Sequence, residues 1–141
     1  MAVYFFEEEL EFDLPEKLKI KRWLHHIAKG EGFRIKNLNF IFCNDEYLYR
    51  LNVEYLNHNT YTDIITFDNS ESDKYLEGDI YISIDRVKEN AVNRGGDFLM
   101  ELKRVMSHGL FHLCGYPDKS PSQKKTMRSK EDQAMETFHA M

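Results

Sequence analysis

Four short stretches of the chain are rich in aromatic and β-branched residues and are bounded by polar or glycine-containing segments. Runs of this kind are typical of β-strands, whose mean length is about 5–6 residues. A polar loop rich in serine, aspartate and glutamate separates the last two runs, which indicates a connection between neighbouring strands. The predicted strands are residues 2–6, 37–43, 63–67 and 78–84.

Longer segments repeat apolar residues every three to four positions and therefore predict amphipathic helices. Asn44 is the predicted N-cap of the second helix, whose apolar face includes Tyr55, and Asp85 is the predicted cap of the third. The predicted helices are 15–30, 45–57, 85–93, 97–115 and 122–139, and the last one carries Met127, Glu131, Met135 and Phe138 along one face.

These elements follow the order β-α-β-α-β-β-α-α-α, without the regular alternation that gives a doubly wound α/β fold. The order predicts an α+β fold, in which a small four-stranded mixed sheet packs against about five helices. The chain has 141 residues and shows neither internal repeats nor a linker. We therefore expect one domain spanning residues 1–141.

The composition limits the class of protein. Hydrophobic residues make up 42% of the chain, enough for an ordinary core, and the net charge of −5 argues against a generally basic surface that coats polyanions. No apolar run approaches the ~20 residues that span a bilayer, and the acidic N-terminus is unlike a secretory signal. We expect a cytoplasmic protein without membrane contact, in which Cys43 and Cys114 are reduced and have no disulfide partner.

The segment HGLFHLCGYPDKS contains the candidate chemistry of the chain. His108 and His112 are four residues apart, so that they share one face of the predicted helix and can reach one metal ion. The same spacing also fits a hydrogen-bonded, partly buried histidine pair. Asp118 lies six residues past His112, after Gly115 ends the helix, and offers a carboxylate as third ligand. Two histidines and one carboxylate suit zinc and other divalent metals.

Other blocks of the chain accompany this motif, and together they resemble the YbeY endoribonucleases, also called rRNA maturation factors. The family signature H-G-x-L-H-L-x-G-Y-D-H is followed closely here, except that Asp118 stands at the third histidine and Pro117 at the preceding aspartate. The blocks that carry the resemblance are TDIITF at 62–67, GDIYI at 78–82, HGLFHLCGYPD at 108–118 and the M-x-x-x-E pattern at 127–131.

The resemblance implies a metal-dependent hydrolase that cleaves single-stranded RNA. It implies a role in rRNA processing, at the 3′ end of 16S rRNA, and in ribosome quality control, with rRNA and ribosomal subunits as partners. It further implies one divalent ion, usually Zn²⁺, held by His108, His112 and the residue at position 118. The place of a family arginine is taken by Leu56, and the arginines that can approach the cleft instead are Arg50, Arg94, Arg104 and Arg128.

Thr62, Asp63 and Thr66 are predicted to lie in the cleft wall, although turn and strand roles also fit them. Asp63 equally fits a partner that orients a ligand histidine. His58 and His139 are rival third ligands, but neither has the family's spacing. No residue is identified as the catalytic general base.

Two other functions fit parts of the pattern. A ribosome-associated binding factor with a structural metal and little nuclease activity is favoured by Leu56, but the open metal position that three protein ligands leave opposes it. A zinc peptidase is disfavoured because Gly109 occupies the position at which HExxH enzymes carry their glutamate base.

Overall fold

The computed structural model describes residues 2–141 and contains the elements in the predicted order. No helix in this range is long and apolar enough to cross a membrane. The strands are β1 (Ala2–Glu8), β2 (Arg34–Cys43), β3 (Ile64–Asp68) and β4 (Tyr75–Ser83). The helices are α1 (Lys17–Gly30), α2 (Asp45–Leu56), α3 (Ile84–Asn93), α4 (Phe98–Leu113) and α5 (Pro121–Ala140).

The strands form one mixed sheet in the order β1-β2-β4-β3. β1 and β2 are parallel because α1 carries the chain back between them, and β2 is also parallel to β4. β3 runs antiparallel to β4, to which a short polar loop connects it. The predicted α+β fold, with a four-stranded mixed sheet and five helices, is confirmed.

α4 is the central helix and is apolar on most of its surface, with buried side chains from Glu101 to Leu113. Two glycines allow it to lie close to the sheet. A Cβ at Gly109 would come within 3.0 Å of the side chains of Ile64 and Ile80, and one at Gly78 would lie 3.1 Å from the side chain of Leu113 on α4. Gly109 therefore faces the sheet, which explains physically why no glutamate base occupies this position.

α5 packs beside α4 and is tied to α1 by a buried hydrogen bond. The indole nitrogen of Trp23 donates to the carbonyl oxygen of Ala134 at 2.7 Å, and both residues are buried. The predicted apolar face of α5 is confirmed, since the members of that face are buried: Met127, Glu131, Met135 and Phe138. A carboxylate thus lies among core residues, beside α4.

Several local predictions differ from the structure, and among them α1 begins at Lys17 instead of residue 15, while β2 and β4 each begin three residues earlier than predicted. Ser83, not Asp85, caps α3, because its hydroxyl accepts from the amide of Arg86, while the Asp85 carboxylate accepts from the first amide of α2. Tyr55 is 63% exposed and does not belong to the buried face of α2. α5 begins at Pro121, whose missing N–H costs nothing at the first helical position.

The predicted cap of α2 is confirmed. The side chain of Asn44 accepts from the amide of Tyr47. Cys43 is buried, Cys114 is partly buried, and both are free thiols. Burial raises the pKa of each thiol to about 12, so that neither is a reactive thiolate near neutral pH.

Candidate metal centre

α4 ends in a glycine-based turn that positions the following loop. Gly115 has a φ of 101°, a left-handed conformation that glycine adopts without strain. The amide of Tyr116 donates to the carbonyl of Phe111, and that of Gly115 donates to the carbonyl of His112, each at 3.0 Å. These two bonds form a Schellman motif, and the Phe111 and Tyr116 rings supply its usual apolar contact. The turn reverses the chain and brings Asp118 back beside the histidines.

Three potential ligand atoms converge at this point. Oδ2 of Asp118 lies 3.0 Å from Nε2 of His108 and 3.4 Å from Nε2 of His112. The ligand atoms of the three side chains all lie within 4.8 Å of one another, and no other such group of His, Cys, Asp or Glu occurs between residues 2 and 141. The side chains are 21%, 28% and 35% exposed, so that the point of convergence is open to solvent.

Both imidazoles are held by their other ring nitrogen. Nδ1 of His108 donates to Oε2 of Glu131 at 2.6 Å, and Nδ1 of His112 donates to the backbone oxygen of Tyr116 at 2.9 Å. With each Nδ1 bonded to these acceptors, the Nε2 atoms are the ring nitrogens that lie towards Asp118. Metal-binding histidines normally donate their second nitrogen in this way, so that the donor set fits a divalent cation.

Glu131 is itself fixed by a buried ion pair. Its carboxylate is 7% exposed and accepts from Arg104 at 3.3 Å, and Arg104 also contacts Asp132 at 2.8 Å. Burial alone would lower the pKa of His108. The hydrogen bond to Glu131, with the negative charges of Glu131, Asp118 and Asp63, outweighs it and raises the pKa of His108 above its ordinary value.

A cleft of about 820 Å³ opens beside the three ligand atoms. α4 and α5 form one side, and β3 with the segment before it forms the other. The structure places Thr62, Asp63 and Thr66 on the second side, together with Leu56. The basic residues of the cleft come from α4, from α5 and from the turns that precede these two helices, and they are Arg94, Arg104, Lys119, Lys124 and Arg128.

The sequence that forms this site also matches a known protein family. A sequence model described as Endoribonuclease YbeY matches residues 6–139. The chain belongs to the YbeY family. All the site residues named above lie within the matched range.

Individual YbeY relatives cover nearly the whole chain. A Cytophaga hutchinsonii protein named Endoribonuclease YbeY is 50% identical over 134 residues, which are 95% of this chain and 94% of that protein. A Flavobacterium johnsoniae protein of the same name is 46% identical over 134 residues, 95% of this chain and 96% of its own. The solution structure of TM1509 from Thermotoga maritima has a TM-score of 0.68 and 28% identity, covering 97% of this chain and 89% of that one.

His108, in the signature segment of the YbeY family, contacts Glu131, the last residue of the downstream M-x-x-x-E block. Helical spacing predicts that Glu131 lies on the apolar face of α5, but it does not predict a role for Glu131 at the site. A carboxylate among buried apolar positions was the available signal, because a buried acid needs a partner. Both histidine Nδ1 atoms are bonded to Glu131 and to the Tyr116 carbonyl, and Asp63 accepts a hydrogen bond from neither.

The other histidines and arginines considered from the sequence differ in whether they lie at the site. His58 and His139 are exposed and do not belong to the convergent group within residues 2–141. Arg50 pairs with Glu9 at 2.8 Å and does not line the cleft. The three arginines that do line it are Arg94, Arg104 and Arg128.

Proposed function

We propose that this YbeY-family chain is a single-strand-specific metallo-endoribonuclease that acts in rRNA processing, including maturation of the 16S rRNA 3′ end, and in ribosome quality control. The convergence of His108, His112 and Asp118 on one point of an open cleft carries the proposal. The two relatives described above are named endoribonucleases. The proposed partners are rRNA and ribosomal subunits in the cytoplasm, and residues 1–141 act as one domain.

The proposed cofactor is one divalent ion, Zn²⁺, held by Nε2 of His108, Nε2 of His112 and Oδ2 of Asp118. Two imidazoles and one carboxylate are a common catalytic zinc set, which keeps a fourth position for water or substrate. The open side of the set faces the cleft, which argues for a catalytic rather than a purely structural metal. When bound, such an ion polarises a phosphoryl oxygen and acidifies water.

The residues behind the ligands hold the imidazoles in the orientation that binding requires. Glu131 and the Tyr116 carbonyl fix both Nδ1 protons, so that neither ring has to rotate or change tautomer when a cation arrives. Arg104 holds the Glu131 carboxylate in place through an ion pair. The protein therefore meets the cost of ordering its ligands during folding, before metal or RNA binds.

The shape of the cleft supports a single-stranded substrate. The histidines are recessed at 21% and 28% side-chain exposure, and the opposite wall offers the hydroxyls of Thr62 and Thr66 and the carboxylate of Asp63. An unpaired strand can place one nucleotide deep inside such a cleft, with its base and 2′-hydroxyl available for hydrogen bonds. A duplex keeps its bases stacked and paired and enters less readily.

The test compares RNA cleavage by the purified, zinc-loaded wild type with cleavage by His112→Ala. We expect the wild type to cleave a single-stranded rRNA fragment and to leave the same fragment largely intact when a complementary strand is annealed. His112→Ala is expected to lose more than about 100-fold of the rate, because loss of a ligand exceeds the ~10–100-fold cost of losing an outer partner. His139→Ala, an exposed histidine on α5, is the matched control and is expected to keep the wild-type rate.

Metal content and circular dichroism are measured on the same samples. Folded, zinc-loaded wild type that binds rRNA without cutting it would contradict the nuclease and would favour the ribosome-associated binding factor. Cleavage that persists at the wild-type rate in His112→Ala would remove the proposed metal site from the reaction.

A further inference from the structure

The basic residues of the cleft differ in how far acidic neighbours neutralise them. Arg94 donates to Glu101 at 2.8 Å, and the Glu101 side chain is 9% exposed. Arg104 is held between Glu131 and Asp132 and is itself 19% exposed. Both guanidinium groups are therefore committed to carboxylates of the protein.

Arg128 is the exception among the arginines of the cleft. It lies on α5 one turn before Glu131, and its side chain is 53% exposed. The nearest carboxylate oxygen is Oε1 of Glu131 at 3.8 Å, beyond hydrogen-bond distance. That same oxygen already accepts from Arg104. Among residues 2–141 no other carboxylate lies within ion-pairing distance of Arg128, so that its hydrogen-bond donors face the cleft without an acceptor from the protein.

We propose that Arg128 binds a phosphate of the RNA strand beside the His108–His112–Asp118 site and is the main phosphate-binding residue of the cleft. This inference rests on the proposed nuclease function. Arg128 lines the same cleft as the three proposed ligands, and it lies next to Glu131, which contacts His108.

The chemistry of the guanidinium group favours this role over the two cleft lysines. A guanidinium presents a planar fork that matches two non-bridging phosphate oxygens, and it is more weakly hydrated than an ammonium group. Lys124 lies one helical turn before Arg128, and Lys119 lies in the loop before α5. Both can contribute positive charge near the mouth of the cleft, but neither offers a paired set of donors.

The experiment compares Arg128→Ala with Lys125→Ala in the full-length, zinc-loaded protein. Lys125 is exposed on the same helix and does not line the cleft, so that its variant removes the same charge from the other side. The probe is a 5′-fluorescein single-stranded oligouridylate. Its binding is read by anisotropy directly after mixing, and its integrity is checked on a gel. Arg128→Ala is expected to bind about tenfold more weakly, whereas Lys125→Ala changes the affinity by about twofold or less.

Two further readouts separate a phosphate contact from a structural effect. The slope of log affinity against log salt is expected to become shallower by about 0.7 in Arg128→Ala, the value for one phosphate contact to a single strand. In cleavage assays the loss is expected in KM rather than in kcat, because the contact is made before and during the reaction. Arg128→Lys is expected to recover part of the affinity, and thermal unfolding shows that each variant is folded.

Equal affinities and equal salt slopes for Arg128→Ala and Lys125→Ala would overturn the inference, while cleavage by the wild type would leave the nuclease proposal intact. Binding without cleavage by the wild type would overturn the nuclease, and the contrast between the two variants would still decide the role of Arg128. A wild type that neither binds nor cleaves the oligonucleotide would overturn both.

Discussion

His108 lies between two carboxylates that come from different regions of the molecule. Asp118, in the loop after α4, is 35% exposed and lies 3.0 Å from Nε2. Glu131, in the middle of α5, is 7% exposed and lies 2.6 Å from Nδ1. The loop carboxylate also contacts His112, whereas the helix carboxylate also contacts Arg104. The same chemical group thus has two environments on opposite sides of one ring.

This difference separates a supporting role from a binding role. A buried carboxylate is stable as an anion only when cations and hydrogen-bond donors surround it, and Arg104 and His108 do this for Glu131. Asp118 is part-exposed, and no lysine or arginine of the described chain lies within ion-pairing distance of it. Its negative charge is therefore available to a bound cation. Glu131 stabilises the fold and orients His108, whereas Asp118 is one of the proposed metal ligands.

The largest expected effect follows from removing the buried carboxylate. Glu131→Leu leaves the guanidinium of Arg104 partly buried with only Asp132 as partner, and it leaves Nδ1 of His108 without an acceptor. We expect the free energy of unfolding to fall by about 3 kcal/mol, the lower end for breaking a buried ion pair. Zinc affinity is expected to fall ~10–100-fold, as for other outer partners of metal ligands. Urea unfolding in chelator and competitive zinc titration measure the two effects separately.

Glu136→Leu is the matched control for this change, because Glu136 is an exposed glutamate on the same helix. Its free energy of unfolding is expected to stay within about 0.5 kcal/mol of the wild type. Equal urea midpoints for the two leucine variants would show that the Glu131 ion pair contributes nothing to the fold. An unchanged zinc affinity in Glu131→Leu would show that His108 does not need its acceptor.

Removing the loop carboxylate is expected to reduce zinc affinity strongly and to leave the free energy of unfolding almost unchanged. Asp118→Ala is expected to lower zinc affinity by more than about 100-fold, beyond the effect of an outer partner. In chelator its free energy of unfolding is expected to stay within about 0.5 kcal/mol of the wild type, since the side chain is part-exposed and not buried in the core. Metal analysis after dialysis and urea unfolding are the measurements. Full zinc retention by the folded variant would exclude Asp118 as the third ligand.

The two carboxylates also differ in how far sequence reasoning reaches them. Asp118 is close to His112 along the chain, and a glycine turn that ends a helix is a local signal with a predictable geometry. Glu131 is 23 residues from His108, and their contact depends on how α5 packs beside α4. Helical periodicity predicted that Glu131 lies on a buried face, but it did not show which side chain on the neighbouring helix lies opposite.

The fold shows the same limit at its element boundaries. The order of strands and helices follows from local patterns, whereas the expectation that Thr62, Asp63 and Thr66 lie in the cleft wall came from the block that resembles the YbeY family. Ser83 and Asp85 are both good N-caps, and the choice between them depends on where β4 stops pairing with its neighbours. Pairing between strands is a tertiary interaction, and therefore the N-cap of α3 was predicted two residues late.

The smallest expected effect is a difference in how stability depends on pH. In chelator, the raised pKa of His108 gives the wild type a stabilising contribution that is complete below the unfolded value of about 6.5. That contribution is lost as the pH rises through the folded pKa. In Glu131→Gln the burial of the ring is expected to dominate and to lower the folded pKa, so that stability is gained as the pH rises from that lowered pKa to about 6.5, in a window below that of the wild type. Asp118→Asn is expected to keep the sign of the wild type with a smaller amplitude, because Asp118 is a weaker contributor than Glu131.

Urea unfolding in chelator at a series of pH values between about 5 and 8.5 measures these slopes. Apart from the carboxyl group that each variant lacks, the three proteins carry the same titrating groups. The wild type and Glu131→Gln are expected to differ in the sign of the slope of stability against pH. Parallel curves for these two proteins would show that Glu131 does not control the protonation of His108. A curve for Asp118→Asn that follows Glu131→Gln would assign both carboxylates the same role and remove the distinction between the loop and the helix.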